Sequence, residues 1–352
     1  MGEGNTPLLK SRNIGPSLGL PNLYFKLENL NPTGSYKDRF AASAVAHLLG
    51  IGATACLATS SGNTGAALAA YCAAVQLPCI LVLVAGAPEG KLQQMRVYGA
   101  NTLTVQGFGQ NSETSAKVMQ VLDGLAHELS SPVQISAYAY SPEGMTGVQA
   151  IAYELAQQLR HQRVQVFVPA GGGGLCLAVA RGFMEWTSNY MGYTLPKINC
   201  VQPIGNDTIA SSLRNGLHRA MPMATCTTSI SGLQVPNILD GDEVIAACGA
   251  TQGNGYAVDD KLIYACQQSM AKQEGIYCEP AGAVALAGVI DALGKKEIDP
   301  REHLVCVVTG HGFKDPGSTV RMAGENAAAL LTISEGELGE HIKRIAATAG
   351  NR

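Results

Sequence analysis

Charged and aromatic side chains are both scarce in this chain. Only 14% of its 352 residues are charged, the formal net charge is −3, and aromatic residues make up 5%. Nucleic acids and anionic membranes attract clustered Lys and Arg, and single-stranded nucleic acids also stack on aromatic rings. We therefore expect neither a nucleic acid nor a membrane as a partner. Hydrophobic residues make up 46%, which predicts a globular chain long enough for two domains.

Cysteine is present, but it lacks the spacing that metal sites and disulfide scaffolds use. None of the ten cysteines belongs to a Cys-x-x-Cys pair, and most lie in apolar segments such as "LPCILVLV". We expect reduced, buried thiols and no metal site. The N-terminus has no basic region followed by an apolar run, and the apolar run "CILVLVAGA" is too short to span a bilayer. The expected location is the cytoplasm.

Short apolar runs alternate with Ala-rich helical stretches along the chain. Strands are predicted at "ATACLAT", "PCILVLV", "NTLTVQ", "PVQIS", "VQVFVPA", "KINCVQP" and "HLVCVVTG". Apolar strands that alternate with helices predict an α/β fold, with parallel sheets covered by helices on both faces. Ligands of such folds bind beyond the carboxyl ends of the strands. Functional residues are therefore expected directly after strands.

One lysine lies just in front of a helix predicted to begin near Asp38. In "NPTGSYKDRFA", residues 31–41, Lys37 follows a Pro-Gly turn and precedes an Asp-Arg pair. A single lysine is usually a solvated surface charge. A chemical role needs other polar groups at the same cleft.

A hydroxyl-rich loop follows the strand "ACLA". The stretch "TSSGNTG", residues 59–65, contains Ser60, Ser61, Asn63 and Thr64. The backbone N–H groups at the start of the next helix would form an anion site. The alternative is ordinary capping of that helix, which needs only one hydroxyl.

A run of glycines joins a strand to a helix in "VPAGGGGLCLA". The run consists of Gly171, Gly172, Gly173 and Gly174. Such a run lets the backbone fold tightly around a phosphate, although a flexible turn has the same composition. The loop does not end in the Lys-Ser/Thr pair of a nucleotide-binding P-loop, and the next strand lacks the acidic residue of a dinucleotide site. The remaining candidate ligand for the glycine loop is a small phosphorylated cofactor.

A third polar strand end occurs in "VCVVTGHGFKDP", which brings Thr309 and His311 to the same edge. His311 has either a direct chemical role or a structural one, such as capping the turn. A lysine, an anion loop, a phosphate loop and a polar strand end around one cleft suit pyridoxal phosphate. Lysine forms a Schiff base with this cofactor, and the other groups hold its phosphate and orient its ring.

The chain resembles the fold-type II pyridoxal-phosphate enzymes, the family of tryptophan synthase β, cysteine synthase, threonine dehydratase and threonine synthase. The matching stretches are "GEGNTPLL", "YFKLENLNPTGSYKDR", "SSGNTG", "VPAGGGGL", "EPAGA" and "TGHGFKDP", in order over nearly the whole chain. The first and last look most like threonine synthase, whereas "GGGGL" looks more like the dehydratases and cysteine synthases.

This resemblance implies a two-domain α/β fold of the tryptophan synthase β type, with parallel twisted sheets and helices on both faces. The expected smaller domain covers residues 39–139 and contains the "SSGNTG" loop. The larger, cofactor-binding domain would consist of residues 1–38 plus 140–352. A homodimer is also expected from the family.

The resemblance also implies residue roles. Lys37 would form the Schiff base with pyridoxal 5′-phosphate and then act as the proton-transfer base. Asn63 would contact the ring oxygen of the cofactor. Thr309 would face the pyridine nitrogen, where a neutral hydroxyl makes the ring a weaker electron sink than a carboxylate would. That suits elimination and replacement at the side chain rather than transamination.

The remaining implied roles concern anions. Ser60, Ser61 and Thr64 would bind the substrate carboxylate, and the four glycines at 171–174 would bind the cofactor phosphate.

Two hypotheses for the exact reaction stay open at this point. Threonine synthases must bind the phosphate of O-phosphohomoserine, and typically use an Asn-Ser pair followed by an Arg before Glu-Gly. In the matching stretch "ISAYAYSPEG", Ser136 is retained but Ser141 replaces the Arg, so Lys314 or Arg39 would have to compensate. The alternative is a serine/threonine-type ammonia-lyase, or a β-replacement synthase, acting on an unphosphorylated or otherwise activated amino acid.

A third hypothesis is a cofactor-carrying protein without catalytic activity. The complete set of Lys37, Asn63 and Thr309 disfavours it.

The sequence also contains an acidic pair, Asp240 and Asp242, which is expected to be solvated rather than catalytic.

Overall fold

The computed structural model describes residues 1–84, 89–109, 111–160, 162–324 and 332–349. The strands in chain order are β1 (Leu8–Lys10), β2 (Leu23–Lys26), β3 (Cys56–Thr59), β4 (Cys79–Leu83), β5 (Asn101–Thr104), β6 (Val164–Pro169), β7 (Lys197–Pro203), β8 (Gly255–Val258) and β9 (His303–Val307). The α-helices are α1 (Ile14–Ser17), α2 (Lys37–Gly50), α3 (Asn63–Ala74), α4 (Glu89–Val97), α5 (Ser112–Glu128), α6 (Pro142–Gln158), α7 (Gly174–Asn189), α8 (Ala210–Arg214), α9 (Gly241–Ala250), α10 (Asp260–Ser269), α11 (Pro280–Gly294), α12 (Pro316–Gly324) and α13 (Glu335–Ala349).

The strands form two sheets. The 6-stranded sheet has the order β1-β2-β9-β6-β7-β8, and its pairs are parallel except for β1 with β2. The 3-stranded sheet has the order β3-β4-β5 and is parallel. Parallel neighbours need crossover connections, which the helices between the strands supply. The predicted α/β fold with parallel sheets and helices on both faces is confirmed.

Burial explains why these segments form their elements. Every residue of β6 is buried, as expected for a parallel strand covered on both faces. Helix α3 is Ala-rich and buries most of its residues, because small side chains allow close packing against its neighbours. Helix α11 is buried in the same way. Well-packed apolar elements thus hold the carboxyl ends of the strands in place.

One predicted strand is wrong. "PVQIS" forms only an isolated bridge between Gln134 and Ala58. The Gln134 N–H donates to the Leu57 carbonyl at 2.7 Å, and the chain turns directly afterwards, where the Ala137 N–H donates to the Ile135 carbonyl at 2.7 Å. The turn therefore ends the pairing after one bridge.

The described chain forms two compact units, Met1–Pro316 and Gly317–Arg352. Both sheets and all predicted site residues belong to the first unit. The smaller sheet lies within the predicted smaller domain, 39–139, but that domain division stays a prediction. The second unit contains α13, as expected for a helical tail after Arg321. Within the described ranges, no helix has the length and apolar character needed to cross a membrane.

Candidate active site

A cavity of about 730 Å³ lies at the carboxyl ends of strands from both sheets. Its wall includes the segments that follow β3, β6 and β9. All the site residues predicted from the sequence line it: Lys37, Ser60, Ser61, Asn63, Thr64, Gly171, Gly172, Gly173, Gly174 and Thr309. Their common location follows from the strand ends, but their individual roles stay predictions.

Lys37 is the first residue of α2 and extends into the cavity. Its ammonium Nζ donates a hydrogen bond to Ser136 Oγ at 2.5 Å, and Ser136 Oγ lies 3.0 Å from Thr64 Oγ1. Burial lowers the pKa of Lys37 to about 7, although the carboxylates of Asp240 and Glu279 favour the charged form. A large fraction of this amine is therefore neutral near pH 7, which makes it a nucleophile and a base.

Asn63, at the start of α3, has one half of its amide fixed and the other half free. Its Nδ2 donates to Glu279 Oε1 at 2.6 Å, whereas its buried Oδ1 has no hydrogen-bond partner in the described structure. Thr309 Oγ1 is buried and also lacks a partner among the described residues. Buried polar atoms are usually satisfied, so these two mark positions where a ligand atom is missing.

The glycine loop has the shape of an anion cradle. Gly173 has φ +101°, a left-handed conformation that favours glycine, and a Cβ on Gly172 would lie 2.7 Å from Leu239 Cδ1, so the Leu239 side chain would have to shift. None of the backbone N–H groups of residues 171–176 donates a hydrogen bond within the described part of the chain. These donors surround the N-terminus of α7 and favour an anion.

The "SSGNTG" loop combines capping with free donors. Ser60 Oγ accepts hydrogen bonds from the N–H groups of Gly62 and Gly65 at 3.3 and 3.1 Å, which is the capping expected as the alternative. Within the residues described, the Ser61 hydroxyl and the N–H groups of Asn63 and Thr64 have no partner. The loop therefore caps its helix and still offers an anion site.

Several polar cavity residues were not predicted from the sequence, among them Lys91, Ser231 and Glu279. Lys91 on α4 is 2% exposed, and its Nζ donates to Ser231 Oγ at 2.9 Å. Its Nζ also lies 3.6 Å from Glu279 Oε2. Glu279 belongs to the quoted "EPAGA" stretch, so that motif was the available signal. Lys91 and Ser231 lie in a helix and an irregular loop, away from any strand end, and had no such signal.

The cations expected to replace the missing arginine do not line the cavity. Arg39 is bound to Glu28 and Glu154 by hydrogen bonds of 2.7 to 2.9 Å. Lys314 Nζ donates to Gln94 Oε1 at 2.6 Å. Ser141, at the position of the expected arginine, is buried and accepts the Ile135 N–H.

Two other expectations are resolved by contacts. Asp240 is 2% exposed and accepts the N–H groups of Tyr138 and Ala139 at 2.9 and 3.0 Å, so its expected solvation is wrong. Its carboxylate thus satisfies two backbone donors, which explains its position. His311 Nδ1 accepts the Phe313 N–H at 3.3 Å and does not line the cavity, so it caps the turn.

Comparison with known proteins identifies the family. A family model described as "Pyridoxal-phosphate dependent enzyme" matches residues 1–310. The chain belongs to the pyridoxal-phosphate-dependent enzymes. Nearly all of the first compact unit, including the complete cavity, falls within the matched range.

The relatives of this pyridoxal-phosphate-dependent enzyme include threonine synthases. One from Methanocaldococcus jannaschii is 34% identical over 327 residues, covering 92% of this chain and 78% of the relative. One from a Bacillus species is 32% identical over 344 residues, covering 97% and 92%. A solved structure of the processed threonine deaminase isoform 2 from Solanum lycopersicum has a TM-score of 0.74 at 21% identity, covering 92% and 88%. That last likeness concerns the fold alone.

Three predictions are confirmed by these comparisons: the family, the cofactor pyridoxal 5′-phosphate and a pyridoxal-phosphate-dependent lyase. The cavity also fits the cofactor. It offers a partly neutral amine, a cradle of free N–H groups for a phosphate, and two unpaired buried oxygen atoms for the polar positions of a ring.

Proposed function

We propose that this enzyme catalyses elimination or replacement at the side chain of an amino acid, and specifically converts O-phosphohomoserine and water into threonine and phosphate. The observation that supports the reaction class most is the amine of Lys37, whose pKa is about 7 and which donates in the cavity to Ser136 Oγ, an atom 3.0 Å from Thr64 Oγ1. The specific substrate is supported by the two threonine synthases that are 34% and 32% identical over 92% and 97% of the chain.

Lys37 would hold the cofactor and move protons. Pyridoxal phosphate, when bound, withdraws electrons from the substrate amino acid. The Lys37 amine would accept the proton from the substrate Cα, for which a pKa near 7 is well matched at neutral pH. The hydroxyl groups of Ser136 and Thr64 would orient that amine through the contacts they make in the cavity.

The start of α3 would bind the substrate carboxylate. The N–H groups of Asn63 and Thr64 have no acceptor in the described structure, and Ser61 offers a free hydroxyl. Ser60 would contribute by fixing this loop, because its oxygen already accepts two backbone N–H groups. The glycine loop at 171–174 would hold the cofactor phosphate.

Thr309 would contact the cofactor ring through its unpaired hydroxyl, and Asn63 would contact the ring oxygen through its side-chain amide. Thr309 is a neutral partner for the pyridine nitrogen, and this choice favours chemistry at the substrate side chain over transamination. A homodimer and a cytoplasmic location remain predictions from the sequence.

A serine/threonine-type ammonia-lyase or a β-replacement synthase is the second candidate. Ser141 supports it, because this residue replaces the arginine expected at a substrate-phosphate site and lies buried outside the cavity. Such an enzyme would release a 2-oxo acid and ammonia from an unphosphorylated amino acid, or would capture an added nucleophile.

The test is to incubate the cofactor-loaded enzyme with O-phospho-L-homoserine and measure phosphate and amino acids in the same tube. Equal amounts of phosphate and threonine are expected, and the Lys37→Ala enzyme is the negative control. Parallel tubes with L-serine and L-threonine are assayed for 2-oxo acids. Production of 2-oxo acids without phosphate release from O-phosphohomoserine would support the second candidate instead.

A further inference from the structure

The cavity contains a buried cation that the roles given above do not use. Lys91 lines the cavity and is 2% exposed, whereas most lysines lie at the surface. Removing an ammonium group from water is costly unless a partner compensates for it. The retention of this charge in the cavity therefore calls for an anion.

The contacts of Lys91 leave part of its binding capacity free. An ammonium has three protons, and one is donated to Ser231 Oγ at 2.9 Å. The other two have no hydrogen-bond acceptor among the described residues. Glu279 Oε2 lies 3.6 Å away, which is beyond a normal hydrogen bond, and that oxygen atom also has no hydrogen-bond partner in the described structure.

The position of Glu279 explains how Lys91 stays charged in the cavity without a ligand. The carboxylate balances the ammonium electrostatically, and its other oxygen is held by Asn63 Nδ2 at 2.6 Å. Since no hydrogen bond ties Lys91 to Glu279, an incoming anion can take the free protons without first breaking one.

This place differs from the two anion sites already described. Those consist of backbone N–H groups at the starts of α3 and α7, whereas this one consists of the side chains of Lys91 on α4 and Ser231 in the loop before α9. A lysine ammonium and a hydroxyl are common ligands of phosphate groups. The start of α3 would bind the substrate carboxylate, and the glycine loop would bind the cofactor phosphate. A substrate that also carries a phosphate therefore needs a third anion site.

We propose that Lys91 and Ser231 form the site for the phosphate group of the substrate. This inference rests on the proposed function, because it supplies the cation that Ser141, Arg39 and Lys314 do not supply. The released product is inorganic phosphate, so the same site binds that ion when the cofactor occupies the glycine loop.

The experiment compares the cofactor-loaded wild type with the Lys91→Met, Lys91→Arg and Ser231→Ala variants. Binding of inorganic phosphate is measured by calorimetry, and binding of L-threonine by the change in cofactor absorbance. The KM for O-phospho-L-homoserine is measured in parallel. Lys314→Met is the matched control, since Lys314 is also buried but does not line the cavity. Cofactor content and melting temperature verify folding.

The Lys91→Met variant should bind inorganic phosphate about 10- to 100-fold more weakly, the loss expected for hydrogen bonds to a charged group. Its KM for the phosphorylated substrate should rise similarly, and its affinity for L-threonine should stay within about twofold of the wild type, because L-threonine has no second anion. Lys91→Arg should recover part of the phosphate affinity, and Ser231→Ala should lose about two- to tenfold.

Two results would overturn the inference: a wild type that binds no inorganic phosphate, or phosphate affinity equal in Lys91→Met and Lys314→Met. Weak KM effects with strong loss of inorganic phosphate binding would assign the site to the product ion rather than to the substrate. Lys91-dependent binding of phosphate in an enzyme that does not turn over O-phosphohomoserine would support the anion site and refute the proposed reaction.

Discussion

Two polar clusters centre on Arg39 and Lys37, which are two positions apart in the sequence. The clusters differ in how completely their hydrogen-bonding groups are paired. Around Arg39, every strong donor has an acceptor: the guanidinium donates to both carboxylate oxygens of Glu28 and to both of Glu154. Around Lys37, the ammonium has Ser136 as its hydrogen-bond acceptor, and Asn63 Oδ1 and Thr309 Oγ1 nearby in the cavity are unpaired. Of the two regions, only the one around Arg39 has a complete set of hydrogen-bond partners.

The difference separates structural from functional charge. A satisfied ion network stabilises one conformation and offers nothing to a ligand. Incomplete hydrogen bonding costs stability and persists where a ligand completes it. Around Lys37 the incomplete groups line the cavity, and the complete network around Arg39 lies outside its wall.

The largest expected effect comes from removing the central amine of the incomplete group. Lys37→Ala should lower turnover by about 1,000-fold or more, because the base and the cofactor attachment are lost together. The melting temperature of the cofactor-free protein should not fall, since a buried amine with a depressed pKa is removed next to an existing cavity. Steady-state kinetics measure the turnover, and thermal unfolding measures the melting temperature. A turnover within tenfold of the wild type would refute the role of Lys37.

The complete network should respond in the opposite way. Arg39→Leu should lower the free energy of unfolding by about 3–5 kcal/mol, because it leaves the Glu28 carboxylate, which is 0% exposed, without its cation. Urea unfolding measures the loss, and Arg39→Lys is the control that keeps the charge without the bidentate geometry. A loss below about 1 kcal/mol would mean that Arg39 does not stabilise the fold.

The pH dependence of cofactor uptake sharpens the contrast. The neutral amine is the reactive form, so the rate at which the cofactor-free protein takes up pyridoxal phosphate should rise about tenfold per pH unit below pH 7. It should level off above pH 7, because burial lowers the pKa of Lys37 to about 7. Stopped-flow absorbance from pH 5.5 to 9 would follow it. A rate that keeps rising to pH 9 would indicate an ordinary lysine of pKa 10.5.

The smallest expected effect concerns an unpaired hydroxyl. Thr309→Val should leave the stability of the cofactor-free protein within about 0.5 kcal/mol of the wild type, because no hydrogen bond of Thr309 Oγ1 is broken in the described structure. Its affinity for the cofactor should fall about two- to tenfold, as for one neutral hydrogen bond. Fluorescence titration with pyridoxal phosphate tests this, and Thr309→Ser should behave like the wild type.

The same contrast explains how far the sequence predicted the site. Asn63, Thr309 and the glycine loop could be found because parallel strands bring their carboxyl ends to one edge, and these residues follow such ends. Lys37 follows no strand end, and its role was expected from the family resemblance. Lys91 and Ser231 could not, because they are 140 positions apart and meet only in the folded chain.

Arg39 shows why hydrogen-bond satisfaction is hard to predict from sequence. It was expected to be able to bind a substrate phosphate, but Glu28 and Glu154, which are 11 and 115 positions away, already occupy it. The "PVQIS" strand prediction failed because the chain turns after Ile135, where the Ala137 N–H donates to the Ile135 carbonyl at 2.7 Å. Periodicity and residue type predict elements, whereas the distribution of hydrogen bonds depends on the tertiary contacts.

The most direct test of this account is to reduce the cofactor-loaded enzyme with borohydride, digest it and locate the phosphopyridoxyl group by mass spectrometry. Three lysines compete for the label: Lys37 and Lys91, which line the cavity, and Lys314, which is buried outside it. The account predicts the label on Lys37, the amine that lines the cavity at the start of α2 and whose pKa burial lowers to about 7. A label on Lys91 or Lys314 would contradict it.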